Sequence, residues 1–94
     1  MSDYPALENF LAAYFHQDWR MEHDTPGAVV AYYLDSEDAE QVAEVRADLA
    51  RLAARELDEA ALAQQLRELG SEYDPTLDGG TWRGWLQALR SDFG

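Results

Sequence analysis

The 94 residues carry nineteen Asp and Glu against seven Arg and no Lys, a formal net charge of −12, and no Cys. A chain of this length is expected to form one domain and to bury roughly 60–65% of the surface its unfolded form exposes; three Trp, five Tyr and three Phe supply the core volume. The missing Cys exclude disulfide frameworks, thiolate zinc sites and cysteine nucleophiles. The negative charge opposes phosphate backbones and anionic membranes, so neither nucleic acid nor membrane is expected as a partner, and no apolar run reaches the ~18–20 residues of a bilayer span.

Helical periodicity dominates and predicts an all-α bundle of about five helices. The first runs about Pro5 to Phe15, with Asp3 or Ser2 as cap and Leu7, Phe10, Leu11, Tyr14 and Phe15 on its buried face. Asp18 to His23 reads as a connector. Thr25-Pro26, or Asp24 as an alternative cap, starts a second helix that buries Val29, Val30, Tyr33 and Leu34; Tyr32-Tyr33-Leu34 would otherwise suit a short strand. Asp35-Ser36 is expected to open the longest helix, about Glu37 to Arg55, with Val42, Val45, Leu49 and Leu52 inward. Asp58 starts a fourth helix with Leu62, Leu66 and Leu69 in the core and Gly70 as its stop. Ser71 to Gly80 reads as a polar loop. Thr81 then caps a last helix whose Trp82, Trp85, Leu86, Leu89 and Phe93 share one side.

Enzyme chemistry finds little support. His16, Asp18, His23 and Asp24 are the only cluster able to bind metal or move protons, but histidines seven apart match no standard ligand spacing. A metal-dependent hydrolase built on them would carry metal through gentle purification. No serine elbow or glycine-rich phosphate loop is present, so neither catalysis nor a cofactor is expected. His16 is expected to meet free carbonyls at the end of the first helix. Asp18 would hold its imidazole or cap the connector, and Trp19 would fold back onto the core. Tyr14, Trp19 or a neighbour, if partly exposed, would suit an interface anchor.

Charge gives the clearest pattern. Glu37, Glu40, Glu44 and Asp48 fall within a stripe of ~80° at 100° per residue, about 120° from the core face of the long helix. Acid first and base last suits the helix dipole, and Asp48 is spaced to pair with Arg51. Six acids between positions 35 and 48 nevertheless meet only Arg46. A basic protein partner would relieve that repulsion and be steered toward it. Glu72 and Asp74, with Glu68 and Asp78, form a second acidic group. The competing expectation is an acidic helical interaction module, charged for solubility and binding through an apolar groove.

The run Tyr4-Pro5-Ala6-Leu7, then Phe10-Leu11 and Tyr14-Phe15-His16-Gln17-Asp18-Trp19, resembles the small all-helical immunity proteins of bacterial contact-dependent growth inhibition systems. The likeness continues through Pro26 and Val29-Val30, and the Trp82 to Leu89 segment after Gly-Gly-Thr is similar to the C-terminal helix of that family. The resemblance implies a cytoplasmic protein that binds and neutralises a cognate toxin domain delivered by a neighbouring cell. Such toxins are often nucleases with basic clefts, which an acidic inhibitor suits. Tyr14, Phe15, His16, Gln17, Asp18 and Trp19 are then expected to define the fold. Contact with the toxin is expected at Glu37, Glu40, Glu44 and Asp48, and next at Glu72 and Asp74.

Overall fold

The computed structural model describes residues 3–94. In chain order the elements are α1 (Pro5–Tyr14), α2 (Trp19–Glu22), α3 (Pro26–Ser36), α4 (Ala39–Ala54), α5 (Glu59–Glu68), a 3-10 turn (Pro75–Asp78) and α6 (Trp82–Phe93). The five expected helices are all present. The connector adds the single turn α2, and the loop adds the 3-10 turn. No strand occurs among the described residues, and Tyr32-Tyr33-Leu34 are helical.

Local capping sets most of the boundaries. Thr25, Asp58 and Thr81 accept the backbone N–H of Ala28, Ala61 and Gly84 and so begin α3, α5 and α6. The start of α4 differs from expectation: α3 continues through Ser36, and Asp38, with extended backbone, caps α4 by accepting the Gln41 N–H at 2.8 Å. Gly70 ends α5 as expected. With φ +105°, it donates its N–H to Arg67 while Ser71 donates to Leu66, the paired closure of a helix end that favours glycine. A Cβ at Gly70 would also lie 3.0 Å from the Ala12 Cβ and 3.1 Å from its Cα, because α1 crosses there.

Two helices take caps from elsewhere in the chain. Tyr4 occupies the N-cap position of α1 and no side chain there bonds the helix; Asp3 does not act as the cap, and Ser2 lies outside the described residues. Instead Asp48, halfway along α4, accepts the N–H groups of Ala6 and Leu7 through one oxygen at 2.9 and 3.0 Å. Glu59 of α5 likewise accepts from the Trp82 and Arg83 N–H groups, adding to Thr81 at the start of α6. Both carboxylates satisfy donors that a helix start leaves open and complement its positive dipole end.

Helices α4 and α6 form the centre: α1 and α6 pack on α4, while α5 and α3 pack on α6. Leu7, Phe10, Leu11, Val29, Val30, Tyr33, Val45, Leu49, Leu52, Leu62, Leu66 and Leu69 are buried, as are Trp82, Trp85, Leu86, Leu89 and Phe93. Each such side chain contributes about 1.5–3 kcal/mol by leaving water. Val42 and Leu34 are only partly covered.

The Tyr-Phe-His-Gln-Asp-Trp run holds one end of this core. Phe15 is fully buried, edge-on to Trp85 at 5.3 Å and to Phe10 at 5.7 Å. Trp19 folds back as expected and meets Tyr73 edge-on at 5.3 Å. The polar-loop reading of Ser71 to Gly80 is corrected here: Ser71, Tyr73 and Pro75 are buried, and Tyr73 also stacks against Phe15 and Trp85. The loop is stitched to the signature by the Glu72 N–H, which donates to the Phe15 carbonyl at 2.8 Å. His16 departs from its expected role. Its Nδ1 accepts the Asp18 N–H at 3.1 Å and its Nε2 lies 2.7 Å from Glu22, because α2 brings that carboxylate back to the ring. Asp18 therefore holds the imidazole with its backbone; Gln17 and Asp18 themselves are exposed.

Candidate binding surface

The expected acidic stripe divides into an open part and a closed part. Glu37, Glu40 and Glu44 are exposed along the first half of α4 and the residues leading into it. Asp48 is not: it is only 7% exposed, accepts two N–H bonds from α1, and bonds Arg51 at 2.8 Å. The expectation that all four face solvent is corrected at this position. The angle from the core face was sound, but α1 sets its N-terminus against that flank of α4. The expected Asp48–Arg51 pair forms within this buried cluster. A shallow cleft of about 330 Å³ runs between the same two helices, with Glu44 and Gln41 on one wall and Pro5 and Asn9 on the other.

The second acidic group is largely engaged within the chain. Asp74 accepts from the Thr76 N–H at 2.9 Å and the Thr76 hydroxyl at 2.6 Å, and its other oxygen lies 3.4 Å from Arg67. The Thr76 hydroxyl, more than Arg67, holds this carboxyl below its usual range. Asp78 lies 3.6 Å from Arg20, and Glu68 accepts from Gln64. Glu72 stays exposed, its backbone alone being committed. The structure thus keeps the two acidic groups chemically distinct.

Around the start of α4 the carboxylates converge on aromatic hydroxyls. Burial raises the Tyr33 hydroxyl; a hydrogen bond with Gln41 lowers it, and Glu37, Asp38 and Glu44 push it up again. Three carboxylates therefore act on one buried oxygen, which places them around one region. Tyr14 donates its hydroxyl to Glu37 at 3.2 Å, and burial together with that carboxylate raises it too. Beside them stands Tyr32, 53% exposed, its ring 6.1 Å from Tyr14 and 5.3 Å from His23. Tyr14 is an expected anchor from the sequence; Tyr32 is not. Its only signal was position: it is the outward neighbour of Tyr33 on a helix whose inward stripe was already full.

His16 and His23 take separate partners, Glu22 and Tyr32, and no group of three or more metal-ligating side chains converges among the described residues. No helix among them is long and apolar enough to cross a membrane. Arg20, Arg51 and Arg67 are each engaged by a carboxylate of the chain, while Glu40, Glu44 and the Tyr32 ring stay exposed.

Comparison with known proteins makes this specific. The profile of the CdiI immunity protein family matches residues 3–93, and the chain belongs to that family. Among solved structures, a chain of the crystal structure of the CdiA-CT/CdiI complex from Y. kristensenii superposes with a TM-score of 0.90 at 24% identity, over 99% of this chain and 100% of that one. The likeness establishes a shared fold. No curated protein matches the chain in sequence.

Proposed function

We propose that this immunity protein neutralises its cognate toxin domain in the cytoplasm by stoichiometric binding, without catalysis, and that Glu37, Glu40 and Glu44 face a basic toxin surface such as the phosphate-binding cleft of a nuclease. One observation carries the surface assignment: Glu40 and Glu44 are exposed and pair with no cation among the described residues, whereas Arg20, Arg51 and Arg67 are each bound to a carboxylate elsewhere. Unpaired carboxylates on a rigid helix repel one another and steer a basic partner inward. Glu72 lies outside this stripe as a further exposed acid. Asp48 and Asp74, whose oxygens are taken up internally, shape the surface in this reading rather than touch the partner.

The family supports toxin neutralisation, and the structural neighbour was crystallised as a CdiA-CT/CdiI complex. The test is co-expression with the cognate CdiA-CT toxin domain. Survival of the host and co-purification of an equimolar complex are expected; death of the host despite soluble expression of both proteins would sink the reading. Association should slow as salt rises, since exposed charges are screened beyond about 8–10 Å at physiological ionic strength.

A further inference from the structure

Every arginine–carboxylate pair in the described chain has an aromatic ring beneath it. Arg20 lies 4.8 Å from the centre of the Trp19 ring and 3.6 Å from Asp78. Arg51 lies 5.1 Å from the Tyr4 ring and 2.8 Å from Asp48. Arg67 lies 5.2 Å from the Trp82 ring and 3.4 Å from Asp74. The chemistry is the same each time. The electron-rich ring face attracts the cation, while the planar guanidinium still offers its edge to a carboxylate.

A fourth ring–carboxylate pair has no guanidinium. Tyr14 donates to Glu37 through its hydroxyl, which leaves the second carboxylate oxygen open, and the exposed Tyr32 ring stands 6.1 Å from the Tyr14 ring. Among the described residues no arginine stacks on Tyr14 or Tyr32 or pairs with Glu37. Arg46, the only cation in the first half of α4, instead donates its Nε–H to the Phe93 carbonyl at 2.8 Å. Tyr32 is half in water although Tyr33 beside it is 2% exposed. The tyrosine panel is therefore rigidly backed by the core and open on the outside, the arrangement of an interface anchor with little entropy left to lose.

We propose that Tyr32, Tyr14 and Glu37 form a receptor for one arginine side chain of the toxin domain, completing from outside the triad that the chain builds three times internally. The proposal rests on the reading that the acidic end of α4 faces the toxin, and it divides the labour: Glu40 and Glu44 set the rate of encounter, and the receptor sets the lifetime of the complex.

The experiment measures association and dissociation rates with the cognate toxin domain. Tyr32→Phe keeps the ring and should dissociate within about threefold of the wild type. Tyr32→Leu keeps apolar bulk but no ring face and should dissociate about tenfold faster, equivalent to about 1.4 kcal/mol, with an unchanged association rate and salt dependence. One toxin arginine should show the same loss when replaced by leucine, and its loss should not add to that of Tyr32→Leu. If the Leu and Phe variants behave alike, or no toxin arginine couples to Tyr32, the receptor is overturned. Normal association by a Glu40→Lys, Glu44→Lys protein would instead overturn the acidic-face reading, while the Tyr32 series would still decide the receptor. Tyr32 is exposed, so matching thermal unfolding of the variants confirms that folding is not what changed.

Discussion

The carboxylates around the 3-10 turn and those along the first half of α4 are similar in number and opposite in use. Near the turn, Asp74 and Asp78 each have an arginine, and those arginines lie on Trp82 and Trp19. Along α4, among the described residues, Glu40 and Glu44 have none, and Glu37 has only a tyrosine hydroxyl. Both regions combine aromatic rings with acids. What separates them is the presence of a guanidinium, and that turns one region into scaffold and leaves the other with an unmet charge. Net charge alone therefore says little about where a partner binds; the informative quantity is charge left over after internal pairing.

The contrast can be broken by substitutions that ought to act on only one side of it. Trp19→Ala, on the scaffold side, should cost about 3–5 kcal/mol, because a buried ring that holds Phe15 and Tyr73 leaves a cavity; chemical denaturation measures it. Asp48→Asn should cost about 2 kcal/mol, since a charged acceptor of two N–H bonds and an arginine is weakened. It should lower the denaturation midpoint without lowering the association rate seen with the toxin. A smaller loss is expected in alkali. Burial first, and then the Asp78 carboxylate, push the Tyr73 hydroxyl up to about 12, against 10.0 in the unfolded chain. A raised value means the folded state resists ionisation, so this stability is complete below about pH 10 and disappears as pH climbs through about 12. Thermal unfolding from pH 9 to 12 should fall in that window, and Asp78→Asn, by removing a carboxylate that raises the hydroxyl, should make the fall smaller and end it at a lower pH. Smallest in stability is Glu40→Lys with Glu44→Lys, expected within about 0.5 kcal/mol of wild type because both sites are solvated. The same pair should slow association about tenfold at low salt. A large loss of stability there would show that the open region is scaffold after all.

How much the sequence disclosed depends on the range of each interaction. The caps at Thr25, Asp58 and Thr81, the stop at Gly70 and the inward stripe of α6 are written within a few residues of where they act, and the periodicity of the chain displayed them. Asp48 was misplaced because its partners, Ala6 and Leu7, lie more than forty positions away. Helical angle alone knows nothing of the neighbour on that flank. Tyr73 was hidden for the same reason: it sits among polar residues, and its ring meets Trp19 of α2, Trp85 of α6 and Phe15 just after α1. His16 was read from its distance to the helix end, whereas α2 returns Glu22 to it. At the candidate surface, Glu37, Glu40 and Glu44 were legible as a stripe. The pairing of Tyr14 with Glu37 and the exposure of Tyr32 depend on how α1 and α3 meet α4, which no local pattern encodes.

The crossing of α1 over Gly70 has a mechanical side. With a hydrogen in place of a methyl, the two backbones touch and the joint has no slack. Any thicker residue would drive in like a wedge and lever α1 away from the end of α5. Tyr14 rides on that same rod one half-turn beyond Ala12, so the tilt would carry its hydroxyl away from Glu37. A change made for the comfort of a helix terminus would thus be felt, in the proposed receptor, as a blunted grip on the antagonist.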